Sequence, residues 1–77
     1  MIKFIEIYFH FNGQSTVRRY IMNVDEISRV EEYKSVRRTP DGNIKDNTEC
    51  ALVGKDGTKY ILEDYCKDKI IKQLLEL

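Results

Sequence analysis

The stretch Lys3-Phe4-Ile5-Glu6-Ile7-Tyr8-Phe9-His10-Phe11-Asn12-Gly13 decides how this chain is built. Ile5, Ile7, Phe9 and Phe11 fall on one parity, and Glu6, Tyr8 and His10 fall on the other. A period of two carried by β-branched and aromatic side chains marks a half-buried strand. Asn12-Gly13 then predicts a tight hairpin, because a type I′ turn needs positive φ at both central residues. Ser15 to Val24 reads as the returning strand. Its apolar residues occupy both parities, with Tyr20, Met22 and Val24 on one and Val17 and Ile21 on the other. Such a strand is central, twisted, or covered on its second side.

Outward from this hairpin, Asn23-Val24-Asp25-Glu26-Ile27 is a polar interruption with room for a single turn. Ile27 and Val30 read as core anchors on either side of it, and Val30 to about Val36 reads as a third strand. Arg37–Glu49 is the least hydrophobic part of the chain and holds its one proline and the Asp41-Gly42 turn. It reads as a long polar loop or an extended hairpin tip. Cys50–Val53 is a short fourth strand, Lys55-Asp56-Gly57 turns it, and Thr58–Leu62 is the fifth. Glu63-Asp64 opens a helix, with Asp64 the expected N-cap. Cys66, Ile70, Leu74 and Leu77 form its apolar stripe, flanked by Ile71 and Leu75, and Lys67, Lys69 and Lys72 take the solvent side. Strands first and helix last is an α+β pattern. The expected architecture is an antiparallel meander of about five strands, as a small open barrel or sheet, with one C-terminal helix.

Seventy-seven residues make a single domain, 1–77, near the lower limit of what folds unaided. Thirteen Lys and Arg balance thirteen Asp and Glu. That balance excludes a global polycation but not a local basic patch. No apolar run approaches the ~18 residues of a membrane span. The greasy start is interrupted by Lys3, Glu6 and His10, unlike a secretory h-region. The expectation is a cytoplasmic protein that makes no membrane contact. Cys50 and Cys66 lack C-x-x-C spacing and read as small buried hydrophobes in a reducing compartment, so neither a metal nor a cofactor is expected.

Taken together, the Met1-Ile2 start, the Asn12-Gly13 hairpin, Asn23-Val24-Asp25-Glu26-Ile27 with Val30-Glu31, the Cys50/Leu52 strand, Asp56-Gly57, and Glu63-Asp64 before an Ile/Leu-rich helix resemble the FlbD-like proteins of bacterial flagellar operons. The resemblance implies a small regulatory module acting through protein contacts. The LytTR-type DNA-binding domain offers a fainter analogy, through Ile27, Val30-Glu31 and an Asp-Gly turn before a final helix.

Chemistry-bearing residues are sparse. His10 shares a parity with Glu6 and Tyr8, but no motif places a nucleophile beside it, so a sheet-face histidine is expected. Asp25, Glu26, Glu31 and Glu32 are four carboxylates in eight positions, yet Glu31 and Glu32 alternate across a strand and face opposite ways. The glycines form hairpins and no phosphate loop. One constellation stands out. It comprises Arg18-Arg19, Lys34, Arg37-Arg38 and Lys45. With strands two and three expected side by side, Arg18-Arg19 and Arg37-Arg38 would meet, and Tyr8, Tyr20 and Tyr33 would supply stacking faces for phosphates and bases. The bland reading of the same residues is an ordinary charged surface.

These features predict a non-enzymatic binding or regulatory module working through protein–protein contacts or self-association. The alternative is a nucleic-acid or signalling-nucleotide binder, of the kind phages use as a sponge, acting through the Arg/Tyr cluster. A homo-oligomer is expected, because one helix cannot cover both faces of a five-strand sheet and Phe4, Tyr8 and Tyr20 would remain exposed. The segment Arg37–Glu49 is either a tolerated insertion or the functional variable, with Arg37 and Arg38 at its base and Ile44 as its apolar anchor.

Overall fold

The alternation along Lys3–Phe11 gives β1 (Phe4–His10), whose odd-numbered side chains Ile5, Ile7 and Phe9 are all buried. The computed structural model describes residues 3–76, apart from the side chains of Ser35, Arg37 and Lys45. Met1, Ile2 and Leu77, which entered the resemblance and the helix stripe, lie outside the described residues. The further strands are β2 (Arg18–Asn23), β3 (Ile27–Arg38), β4 (Ile44–Gly54) and β5 (Lys59–Leu62), and α1 (Asp64–Leu75) follows. The strands form one open antiparallel sheet in the order β2-β1-β5-β4-β3, an α+β fold. No described helix is long and apolar enough to cross a membrane.

The order corrects one expectation. β2 and β3 are the two outer strands and not neighbours. A 3-10 turn, Val24–Glu26, carries the chain between them, capped where the Asn23 side chain accepts from the Asp25 amide at 2.9 Å. The hairpin β1–β2 joins the meander β3–β4–β5 through a short ladder in which Phe9 faces Leu62 and His10 faces Ile61. So short a junction lets the sheet curl. Tyr20 of β2 thereby stacks on Tyr60 of β5 at 6.0 Å between centroids and 11° between planes, and the Lys55 amide donates to the Glu26 carbonyl at 2.9 Å.

The core lies inside the curl, where Ile5, Ile7, Phe9, Met22, Cys50, Leu52 and Leu62 meet Cys66 and Ile70 of α1. Burial of such side chains removes ~1.5–3 kcal/mol each of apolar exposure. Val30, expected in this core, sits on the outer strand and is exposed, while Ile27 packs against it. Cys50 and Cys66 are buried free thiols, and burial, helped by the nearby Glu32 charge, pushes the Cys50 thiol above its ordinary pKa.

Three local departures have physical causes. Asn12 does not take positive φ and Gly13 does, at +81°, with the Gln14 amide donating to the Phe11 carbonyl at 3.0 Å. That sign pattern belongs to a type II turn and not to I′. The chain then stays irregular until Arg18. At the helix start the N-cap position is Glu63 and not Asp64, without a side-chain cap, because the Glu63 carboxylate lies 3.0 Å from His10 Nδ1 instead. Lys67, expected in solvent, is half-buried and its Nζ donates to the Thr48 carbonyl at 2.8 Å.

The segment expected as a loop or hairpin tip is a hairpin. β3 and β4 stay in register from Glu32 opposite Cys50 to Arg38 opposite Ile44, whereas β5 pairs β4 only at Ala51–Val53. The last six residues of β3 form, with β4, a two-stranded arm about 20 Å long, at the usual rise per residue. It gives the molecule its 50 Å long axis.

Candidate functional site

Alternation along each strand sorts the sequence-selected residues before any contact is considered. Register puts Arg18 opposite Phe9 and Tyr20 opposite Ile7, on the core side of the sheet. Arg19 and Tyr8 face each other on the other side. The Arg18-Arg19 pair is therefore split between two surfaces, and both lie at the far edge from Arg38. Arg37 pairs with Lys45 in the arm, but its side chain lies outside the described residues. The two arginine pairs do not converge.

On the outer face, Arg19 donates through Nε to Glu6 at 2.9 Å, which holds the Glu6 carboxyl below the usual carboxylate range and raises the guanidinium. Tyr8 stacks at a tilt on Tyr65 of α1, 5.7 Å between ring centres. Neither Arg19 nor Tyr8 is left available in the way the sequence suggested. Tyr33 is also committed: its hydroxyl donates to Glu31 and accepts from Lys59 Nζ at 3.0 Å. Arg29 completes the group by donating to Glu31 at 2.9 Å. Tyr33, followed by Arg29, lowers the Glu31 pKa, and Tyr33 raises that of Lys59.

The core-side mouth is different. Phe9 meets Tyr60 edge-on at 4.9 Å and Phe11 edge-on at 5.3 Å, and Phe11 lies 6.0 Å from Tyr60. Arg18 sits over the Phe11 ring, 5.4 Å from its centre. These rings, with Tyr20, Arg18 and Arg19, line a cavity of about 390 Å³ that no helix residue borders. On the other side of the Tyr20–Tyr60 stack is a second cavity of about 430 Å³, bordered by Asp25, Glu26, Lys55 and Asp56. Burial pushes the Tyr60 hydroxyl above its ordinary pKa, and Asp56 adds to the shift.

Phe11 and Tyr60 were absent from the sequence-selected set, although parity already placed Phe11 with the inward residues. Tyr60 joins them only through the β1–β5 ladder, which links residues about fifty positions apart and leaves no local signal.

The arm carries the remaining residues. Ile44 and Val36 are 67% and 66% exposed. Val36 opposes Asp46 and Arg38 opposes Ile44, so Val36 and Ile44 are diagonal neighbours on one face. The tip satisfies itself: the Thr39 amide donates to the Asn43 carbonyl at 2.8 Å, and Asn43 Nδ2 donates to the Asp41 carboxylate at 3.1 Å. His10 and Glu6, the conceivable acid–base pair, are engaged separately with Glu63 and Arg19. Among the described residues no group of three or more His, Cys, Asp or Glu is placed to hold a metal ion.

Compared with protein-family models, curated proteins and solved structures, the chain matches none.

Proposed function

We propose that the chain is a small non-enzymatic binding module that works by protein contact, and first of all by pairing with a second copy of itself along β3. The observation that carries this reading is the arm. β3 is twelve residues long, has β4 on one side only, and runs out past the body of the sheet with Val36 and Ile44 uncovered. An outer strand of that length presents a row of open backbone donors and acceptors that another strand can complete. The resemblance to the FlbD-like flagellar-operon proteins supports the same class of function.

The charge order along β3 fits a second copy. Glu32 and Arg38 lie on one face, opposite Cys50 and Ile44 of β4, and neither makes an ion pair among the described residues. In an antiparallel, two-fold pairing centred on position 35, Glu32 of one copy stands opposite Arg38 of the other, twice over. Val36 then stands opposite the partner's Lys34, whose aliphatic stem covers apolar surface while its ammonium stays in water.

Light scattering behind a sizing column tests this, with Glu32→Arg, Arg38→Glu and the double exchange. The expected pattern is a dimeric wild type, a shift toward monomer for each single variant, and recovery of the dimer in the double variant. A monomeric wild type at ~100 μM, well above the dissociation constants of specific pairs, overturns the reading. So does a set of single variants that dimerise as well as wild type.

A further inference from the structure

We infer that the aromatic mouth between β1, β2 and β5 is a binding site for a nucleobase with one phosphate beside it, the chemistry of a nucleoside monophosphate. This site lies across the sheet from β3 and does not depend on the pairing proposed for that strand.

Three observations carry it. Phe11, Tyr20 and Tyr60 gather rings from three separate stretches of chain around one cavity of about 390 Å³, a size that holds a small aromatic ligand. Tyr20 is 40% exposed, so a large aromatic ring faces solvent at the rim. Base stacking on such rings is tolerant of sequence and is favourable for every base, since each has a π-face.

The second observation is the state of Arg18. Of the two adjacent arginines, Arg19 is neutralised by Glu6, whereas Arg18 makes no ion pair or side-chain hydrogen bond among the described residues. Its guanidinium rests over Phe11, which orders the side chain at the mouth without occupying its donors. A planar fork with free N–H groups beside stacking rings suits a phosphate held close to a base.

The third is the charge on the far side of the Tyr20–Tyr60 wall. Asp25, Glu26 and Asp56 border the adjoining cavity against Lys55 alone. One free guanidinium next to an acidic cavity accommodates a single phosphate and repels a polyphosphate tail. The ligand is accordingly a monophosphate unit, whether free or at the end of a single strand.

Amide and aromatic NMR titrations with AMP, adenosine, ATP and a short oligo-dA separate the possibilities. Saturable shifts at Phe11, Arg18 and Tyr60 with AMP are expected, together with weaker binding of adenosine and ATP. Arg18→Gln is expected to weaken AMP about tenfold, the worth of one charge-assisted hydrogen bond, while leaving the dispersion of the spectrum intact. Tyr60→Leu is expected to remove binding, and Tyr20→Leu, at the exposed rim, gives a second readout if Tyr60→Leu fails to fold. Binding of oligo-dA without AMP assigns the phosphate to a single strand. The inference is overturned if neither AMP nor oligo-dA shifts these residues at ~5 mM, a concentration that detects even very weak complexes. It is also overturned if Arg18→Gln binds as wild type does.

Discussion

Lys59 of β5 donates to the hydroxyl of Tyr33 of β3 at 3.0 Å, across the full width of the intervening strand β4. The bridge passes over Ala51 and Val53, which are buried although they lie on the face away from α1. Ala51 stands between Glu31 and Ile61, and Val53 between Arg29 and Lys59. The short side chain of Ala51 leaves space for the long ones on its flanks, so polar residues roof a face that has no helix.

Ala51→Leu is therefore expected to destabilise the protein by ~1–3 kcal/mol, as an overpacked site does, because the added carbons meet the Glu31–Tyr33–Lys59 bridge. Lys59→Ala removes an exposed partner and is expected to change stability by less than ~1 kcal/mol. Urea denaturation of both variants checks the contrast. Equal losses in the two would mean that the bridge, and not the space beneath Ala51, sets the stability of this face.

The arm is expected to be dispensable for folding. Excising Lys34–Thr48 and joining Tyr33 to Glu49 by Asn-Gly keeps those two residues opposite each other, as they are now. Among the described residues, none of the excised stretch belongs to the buried core. The turn at Thr39–Asn43 is held by its own hydrogen bonds, and Lys67 of the helix donates to the Thr48 carbonyl. Stability within ~1 kcal/mol of wild type is expected, since a shorter connection also lowers the closure entropy. Thermal unfolding measures it, and a shortened chain that does not fold would make the arm a folding element.

Much of this fold was legible because it is written locally. Period two exposed β1, glycine positions marked the turns, and the stripe through Cys66 and Ile70 marked α1. What the chain does at long range was not legible. Strands adjacent in sequence usually pair, but the 3-10 turn at Val24–Glu26 sends β3 to the edge opposite β2. That single difference separates Arg18-Arg19 from Arg37-Arg38. In the arm, Lys34, Asp46 and Thr48 lack the apolar alternation of a half-buried strand, because a two-stranded ribbon has no face to bury. Polar composition there hid a regular element.

Acid should weaken the protein from one side and alkali from the other. Glu6, Glu31 and Asp56 all titrate below their ordinary values in the folded chain, chiefly through bonds from Arg19, Tyr33 and the Thr58 amide respectively. The unfolded chain binds more protons than the native one in this range, so the stability they supply is present above the ordinary carboxylate values and is lost as pH falls through the lowered ones. Tyr60 and Lys59 are shifted upward, by burial and by the Tyr33 hydrogen bond respectively, so their contribution is intact below pH 10 and fades above it. Denaturation midpoints are expected to be flat between about pH 6 and 8 and to fall on the alkaline side as the raised Cys50 thiol, Tyr60 and Lys59 titrate. They are expected to fall on the acid side too, and less steeply there in Glu31→Gln. An acid limb unchanged in that variant would remove Glu31 from the account.

The two glycines Gly42 and Gly57 share a conformation but not a consequence. Both have left-handed φ, +86° and +88°, and a β-carbon added at either meets nothing within 4 Å. The cost of a side chain is thus backbone strain alone, ~1–2 kcal/mol for an ordinary L-residue and less for Asn, which tolerates this region. At Gly57 the strain falls on a turn wired into the body: its amide donates to the Gly54 carbonyl at 2.9 Å, Gly54 donates to Thr58 at 2.8 Å, and Lys55 donates to Glu26 at 2.9 Å. Gly57→Ala should lower global stability by ~1 kcal/mol or more, and Gly57→Asn by less. At Gly42 the same strain sits at the tip of an arm outside the core, so Gly42→Ala should leave the global unfolding midpoint unchanged and loosen only the tip. Hydrogen exchange resolves the two: faster exchange confined to Arg38–Ile44 is expected for Gly42→Ala, and faster exchange throughout β4 and β5 for Gly57→Ala. A global loss from Gly42→Ala would show that the arm folds cooperatively with the body.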